Sequence, residues 1–524
     1  MPAPEAQPLK PKRHGIVGRL LHGTGAGGFA YALGIVSNLL LLPLYLHHWS
    51  VALYGEWMAL YSVVLYLGNL DFGVTAAAIT AARMAYASND WKAFKRVQGT
   101  AWAAALAIAG FGGVIVLCLS LFYFHVDGWL HLRVMGHRDA RLIFCGLAFS
   151  LLASIPGRQL IAVYTATGSF VRYQWLYNAF TAFSTILTAV ALILGASPVA
   201  LAVLIAAASL ATILFSLWLL SRGDKRLYPH LRDADWHTAR SLASPTGQFG
   251  LWMLAYMLTL QGPVIILSRM LGGPAVALFT TTRTVANVVR GTLMLLRAPL
   301  GPEFSAAAVQ PGKDALRRLF RFTVGIDVTV AIGLTAILWS SGNWLIRFWS
   351  HGRIHPDPTL LHLLLLASVF EGFLQIIAIA GFATNRIKAM SVGQLVSAAI
   401  ALLLAVALLP RFGPAAIPLG FLLPLLIIMT PIAVLNARNH AHLPMRFVAG
   451  RLLLPFLGIT AFAFAFPAWF AGLHIQPEWL SATFSSLSVC LAAAATAGMI
   501  LLNREDRCML RERFLKDLLV PQRP

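Results

Sequence analysis

Runs of about 20 apolar residues, separated by short polar connections, recur between residues 26 and 502, and each is long enough to cross a hydrocarbon core about 30 Å thick as a helix. Few chains can do anything else with such a pattern. Inside a bilayer every backbone N–H and C=O must find its partner within the spanning structure, so apolar runs of this length specify helices. Composition closes the alternative of a soluble fold, since 58% of residues are hydrophobic and 11% charged.

Read with a window of about 19 residues, spans near 26–47, 54–78, 99–122, 142–165, 175–195 and 198–220 make one group of six. The basic connection SRGDKRLYPHLRDADWHTARS separates them from spans near 247–268, 275–300, 322–346, 359–382, 389–409, 415–436, 452–472 and 480–502. Lys and Arg accumulate in cytoplasmic loops, and an N-terminus placed inside puts 29 of the 40 on that side against 7 outside, with 4 left within spans. The net charge of +21 thus reports orientation and contact with anionic membrane lipids, and nucleic acid is not an expected partner. Lys10, Lys12, Arg13 and Arg19 precede a long first run without a clear cleavage site, as in an uncleaved start-transfer helix. Trp49, Trp129, Trp349 and Trp479 fall at expected outer boundaries, as an aromatic belt would. Cys118, Cys145, Cys490 and Cys508 are scattered and read as packing residues.

LPLYLHHWSVALYGEWMALYSVV (42–64) and LSRMLGGPAVALFTTTRTVANVV (267–289) align without a gap, sharing VALY/VALF, and both copies fall between the first and second span of a group. Such a parallel repeat places a cavity between two lobes. The expected architecture is an all-α polytopic membrane protein with about 14 transmembrane helices, as two pseudo-symmetric six-helix lobes around a central cavity plus two C-terminal helices. Its segments are a cytoplasmic stretch 1–23, an N-lobe 24–220, an inter-lobe loop 221–246, a C-lobe 247–437, two further spans within 438–502, and a cytoplasmic tail 503–524. In that tail Met509, Leu510, Phe514, Leu518 and Leu519 oppose Arg511, Arg513 and Lys516, the pattern of a basic amphipathic segment on the inner leaflet.

The eighth span carries Arg283, Arg290 and Arg297 at intervals of seven. Seven residues advance a helix about 10.5 Å and turn it by only about 20°, so the three form one stripe. Each guanidinium costs roughly 2.5–3.5 kcal/mol at a bilayer centre, so the stripe must face something other than lipid. Three such positions without a filter motif do not make a voltage sensor.

The run LLLPLYLHHWSVALYGEWMALYSVVLYLGNLDFGVTAAAITAARMAYA (40–87), with Pro43, the Tyr54-Gly55 pair followed by Trp57, and Leu70-Asp71-Phe72-Gly73, resembles the opening of bacterial polysaccharide-export proteins. These are lipid-linked oligosaccharide (O-antigen and exopolysaccharide) flippases of the multidrug/oligosaccharidyl-lipid/polysaccharide exporter superfamily. Residues 246–300 are similar to the seventh and eighth helices of that family, although Gln261 stands where members often carry an acid. The resemblance implies a flippase in the bacterial cytoplasmic (inner) membrane, both termini cytoplasmic. It would carry a polyprenyl-diphosphate-linked glycan to the outer leaflet by alternating access, with a polysaccharide polymerase or glycosyltransferase as protein partner.

Under that resemblance the substrate-binding residues are Arg283, Arg290, Arg297 and Arg158, since a guanidinium can donate two hydrogen bonds to phosphate. A structural ion pair competes for Arg283 and Arg290, snorkelling for Arg297, and an interfacial anchor for Arg158 after Pro156. Asp71, Asp327 and Glu371 are the ion-coupling or gating carboxylates, for proton or sodium, or else partners of the arginines, a role favoured for Asp327. Asp71 is expected to meet Arg297 across the lobes, and Gly73 to allow close helix packing. No phosphate-binding Gly-rich loop, catalytic triad or metal cluster is visible, so neither an enzyme nor a bound cofactor is expected. A peptidoglycan-precursor flippase, an ion-coupled multidrug exporter and a membrane-embedded polysaccharide polymerase or ligase stay open as alternatives. The last would usually need a larger external loop than residues 123–140, and a cationic-drug cavity would favour carboxylates.

Overall fold

A computed structural model of the chain describes residues 16–71, 73–121, 126–223, 227–297, 304, 314–383 and 388–441. The expected spans 452–472 and 480–502 and the basic tail lie outside these residues. The N-terminal half contains α1 (Ile16–His48), α2 (Val51–Leu67), α3 (Val74–Ala87), α4 (Trp91–Leu121), α5 (Val126–Leu130), α6 (His137–Ala166), α7 (Phe170–Ile193) and α8 (Pro198–Arg222). After a short 3-10 turn (Leu231–Asp233) come α9 (Trp236–Leu271), α10 (Gly273–Arg297), α11 (Asp314–Trp349), α12 (Pro358–Ala383) and α13 (Lys388–Phe412). Then follow α14 (Ala416–Pro424), a π turn (Leu425–Met429) and α15 (Thr430–Ala441). Among the described residues there is no strand. The chain is a polytopic membrane protein: eight described stretches are each long and apolar enough to cross a bilayer.

Local chemistry sets the helix ends. Ser50 Oγ accepts from Leu53 N at 3.1 Å and Ser197 Oγ from Ala200 N at 3.2 Å, N-caps that start α2 and α8. Asp235 caps α9, its Oδ2 accepting from Thr238 N at 2.8 Å and Thr238 Oγ1 at 2.7 Å, and these bonds hold its carboxyl below the ordinary carboxylate range. Pro424 carries no N–H, and the span expected over 415–436 passes through the π turn that begins directly after it.

The second span departs from expectation. Instead of one helix over 54–78, α2 stops at Leu67 and α3 starts at Val74, with Gly73 at φ 90° in the left-handed region. Gly73 supplies a backbone conformation that other residues adopt at a cost, rather than a packing notch. Asp71 therefore sits in a helix break, where its Oδ2 accepts from Thr75 Oγ1 at 2.9 Å.

Within the first half α6 packs on α4 and α8, α1 on α7, and α2 on α6; in the second, α9 packs on α13 and α10 on α11 and α12. The halves meet chiefly where α2 packs on α10 and α9. At the face that carries the α1–α2 and α9–α10 turns, called here the cation-poor face after its sequence, the join is close. A Cβ on Gly55 would overlap the carbonyl oxygen of Gly273, and one on Gly273 the carbonyl oxygen of Ala52. Beside it Ser268 Oγ donates to Leu130 O at 2.9 Å, and the His131 ring lies 2.7 Å from Arg269 O. Arg353 donates to the carbonyl of Leu46.

An aromatic cluster lies beneath this seam. Tyr45 stands 5.0 Å from Trp49 and 5.5 Å from Tyr54, and Trp49 meets Trp57 edge-on at 5.4 Å. Trp49 and Trp349 are 4% and 7% exposed, donating to Ala196 O at 3.3 Å and Leu39 O at 2.8 Å. These two are interior plug residues, correcting the aromatic-belt expectation; Trp129, 38% exposed, suits a belt, and Trp479 lies outside the described residues.

Candidate functional site

A chamber of about 530 Å³ opens below the plug, walled by α1, α2, α6, α7, α8 and α10 and by Trp349 at the end of α11. Hydroxyls dominate its polar lining: Ser154, Thr181, Ser184, Thr185, Thr212 and, from α10, Thr281 and Thr284. Tyr45, Tyr54, Trp57, Tyr61 and Tyr177 supply the aromatic surface. Arg158 is the cation among the described lining residues, and no Asp or Glu is among them. Its Nη2 donates to Gly68 O at 2.6 Å, the first carbonyl past α2. That carbonyl lies at the C-terminus of α2, where a cation is favourable. One guanidinium thus holds the helix break and faces the chamber.

The arginine stripe occupies another side of α10. The Arg283 guanidinium donates to the carbonyl of Leu260 on α9 and lies 5.1 Å from the Phe279 ring centroid. Arg290 places Nη1 3.8 Å from Glu371 Oε1 on α12 and Nη2 3.5 Å from the Tyr256 hydroxyl on α9. Glu371 Oε1 also accepts from Gln375 Nε2 at 3.3 Å. Both residues of the pair keep about a quarter of their side chains exposed, 24% and 25%. From α1, Tyr31 donates to Val288 O at 3.0 Å and fills the notch at Gly291, where a Cβ would overlap its ring. Helix α10 therefore turns threonines to the chamber and two arginines toward α9 and α12.

The carboxylate beside Arg290 is Glu371; Asp327, favoured for a pairing role, is 2% exposed within α11. Arg297 ends α10, and its side chain, with any contact to Asp71, lies outside the described residues. Gln261 is buried on α9 next to Leu260.

Sequence reasoning passed over Glu56, the acid of the YGEW stretch. It is 2% exposed, and its carboxylate accepts three backbone amides: Arg133 N at 2.6 Å and Val134 N at 2.8 Å on Oε1, Met135 N at 2.8 Å on Oε2. A lone acid inside an apolar run was the available signal. Asp127 of α5, just before the loop that Glu56 holds, lies 2.8 Å from the ring of His137, which starts α6 after it. Burial works against the Asp127 carboxylate, but the His137 ring and backbone amides outweigh it and keep its pKa below the ordinary value.

No protein-family model matches the sequence, and no curated protein matches it. Solved structures match the fold. An inward-facing multidrug resistance MATE family transporter of the MOP superfamily superposes with TM-score 0.66 at 13% identity, over 78% of this chain and 94% of that one. The lipid II flippase MurJ in an inward closed conformation gives TM-score 0.66 at 12% identity, over 95% and 99%. A MOP superfamily transporter from Pyrococcus furiosus gives 0.60 at 12% identity, over 82% and 97%. The chain shares the fold of these membrane transporters.

Proposed function

We propose that the protein is a flippase that carries the headgroup of a polyprenyl-diphosphate-linked oligosaccharide across the bacterial cytoplasmic membrane by alternating access. The observation that carries this reading is the chamber: hydroxyls and aromatic rings around one guanidinium, with no carboxylate among the described lining residues. Sugars are held by hydroxyl hydrogen bonds and by aromatic faces against their C–H surfaces, and a diphosphate by guanidinium. A cavity for cationic drugs would need negative charge, which the described lining residues do not present. Arg158, which lines the chamber, and Arg290, whose charge pair is loose, are the cations this reading offers to the phosphates. The sealed cation-poor face makes the described state one closed toward the outer side expected from the charge distribution. The lipid tail remains in the bilayer during transfer.

The test is transfer itself. Purified protein in liposomes should move a fluorescent polyprenyl-diphosphate oligosaccharide between leaflets, read by accessibility to a membrane-impermeant quencher, and should leave quaternary-ammonium dyes in place. Dye transport without lipid transfer would replace the flippase reading with the drug exporter.

A further inference from the structure

The Arg290–Glu371 contact is looser than the contacts of the other described stripe arginine. At 3.8 Å it is an attraction between charges rather than a hydrogen bond. The remaining polar contacts are also long, 3.5 Å from Arg290 to Tyr256 and 3.3 Å from Gln375 to Glu371. Arg283 and Arg158 each donate to a backbone carbonyl, whereas Arg290 meets only side chains, Glu371 and Tyr256. Its quarter exposure lets an incoming group reach the pair without dismantling a packed core. A charge pair inside a membrane that is reachable and weakly bonded is poised for partner exchange.

We propose that Arg290 and Glu371 form an exchange site: a phosphate oxygen of the substrate replaces Glu371 on the Arg290 guanidinium, and the displaced carboxylate takes up a proton from water. This rests on the reading that the substrate is a lipid diphosphate. Charge dictates the proton. The resting pair is neutral; a singly charged phosphate oxygen on Arg290 leaves Glu371 as an unpaired anion in a region of low dielectric, and protonation of its carboxylate oxygen restores neutrality. Loss of that proton on the other side reforms the pair and expels the phosphate.

The other titratable groups around the pair do not substitute for Glu371. Tyr256 of α9 accepts from Arg290, and Tyr31 of α1 donates to Val288 O beside it. Arg283 is held by Leu260, and His362, on the helix of Glu371, stacks on Trp339 of α11. Asp327 of α11 lies 22 residues from Trp349, against 13 from Pro358 for Glu371, so it sits about 13 Å nearer the cation-rich face at 1.5 Å per residue. Arg321 and Arg347 lie toward the ends of α11, and Arg438 and His440 toward the end of α15, the other long helix packed on α12.

The experiment is calorimetric binding of farnesyl diphosphate to the full chain in detergent, from about pH 5.5 to 8, in two buffers of different ionisation enthalpy. Wild type should take up close to one more proton per ligand than Glu371→Gln at the acid end, which removes the ligand's own titration. In the range where uptake is complete its affinity should fall about tenfold per pH unit relative to that variant, which should bind at least as tightly. Equal uptake in the two, or binding without uptake in wild type, overturns the exchange while leaving the flippase reading intact. Absence of any farnesyl diphosphate binding overturns the substrate reading beneath it. If Glu371→Gln does not fold, Glu371→Asp at the same positions decides, since a shorter acid should keep the uptake and wild type without uptake is decisive alone.

Discussion

Gly55 and Gly273 meet backbone to backbone at the crossing of α2 and α10, with no room for a side chain on either. The two helices belong to opposite halves and start within three residues of matching points of the VALY/VALF repeat, so this crossing is where the halves close on each other. Gly55→Ala or Gly273→Ala should wedge the cation-poor face open. In a background without native cysteines, a cysteine at Thr281 in the chamber should then react at least several-fold faster with an impermeant thiol reagent added on that side. An unchanged rate would mean that the seal lies elsewhere.

Glu56 ties the loop between α5 and α6 to α2 through three amides, and that loop in turn reaches Arg269 through His131. Gln has one acceptor oxygen where the carboxylate has two, so Glu56→Gln strands at least one buried amide. A loss of about 1–3 kcal/mol follows from an unsatisfied buried group. Thermal unfolding should start lower, and hydrogen exchange at 133–135 should speed up. Equal exchange in variant and wild type would remove the strap.

Asp127 on α5, paired with His137 of α6, gives this loop a pH dependence. Its folded-state pKa is depressed, so the stabilisation is present above its unfolded value of 3.8 and is lost as pH falls through the lower folded value. The effect should be small because the group is near water. Protection of residues 126–137 from hydrogen exchange, corrected for intrinsic rates, should be flat from neutral pH to about 4 and fall below it. Asp127→Asn should abolish the fall; a fall of the same size in that variant points to another acid.

The helix count and order were legible because the apolar period needs no tertiary partner: eleven of the twelve expected spans through 436 each coincide with a described helix or its π-broken counterpart. The twelfth failed at Gly68–Gly73, where hydropathy continues through a break set by backbone angles alone. Side-chain partners were the other blind spot. Trp49 and Trp349 carry a boundary signal in sequence, but whether a tryptophan at that depth faces lipid or the interior depends on helix rotation. The same ambiguity let Arg283 and Arg290 be placed on one stripe while leaving open which helices the stripe would meet.

Orientation rests on the distribution of Lys and Arg. Single cysteines at the exposed positions His48, His131 and His351 should label from outside intact cells, and those at Asn89 and Ser241 only after permeabilisation. Outside labelling at Ser241 would invert the assignment and make the sealed face cytoplasmic.

The two deeper arginines should separate by phenotype, because their partners differ in kind. Arg283 donates to a backbone carbonyl of α9 and covers Phe279, so its removal deletes a charge-assisted bond between α9 and α10 and loosens the two helices. Arg283→Gln should therefore lower thermal stability, by about 1–3 kcal/mol, with little change in lipid-diphosphate affinity per folded molecule. Arg290 pairs loosely with Glu371, so Arg290→Gln combined with Glu371→Gln, which leaves no carboxylate unpaired, should keep stability within about 1 kcal/mol, while Arg290→Gln in either background should cost most of the affinity. Arg290→Lys should keep part of it, since a point cation still attracts phosphate without the two-pronged contact. Unfolding curves and binding isotherms measured on the same preparations make the comparison. If Arg283→Gln loses affinity at unchanged stability while Arg290→Gln does not, the roles are reversed and Leu260 is displaced when the substrate binds.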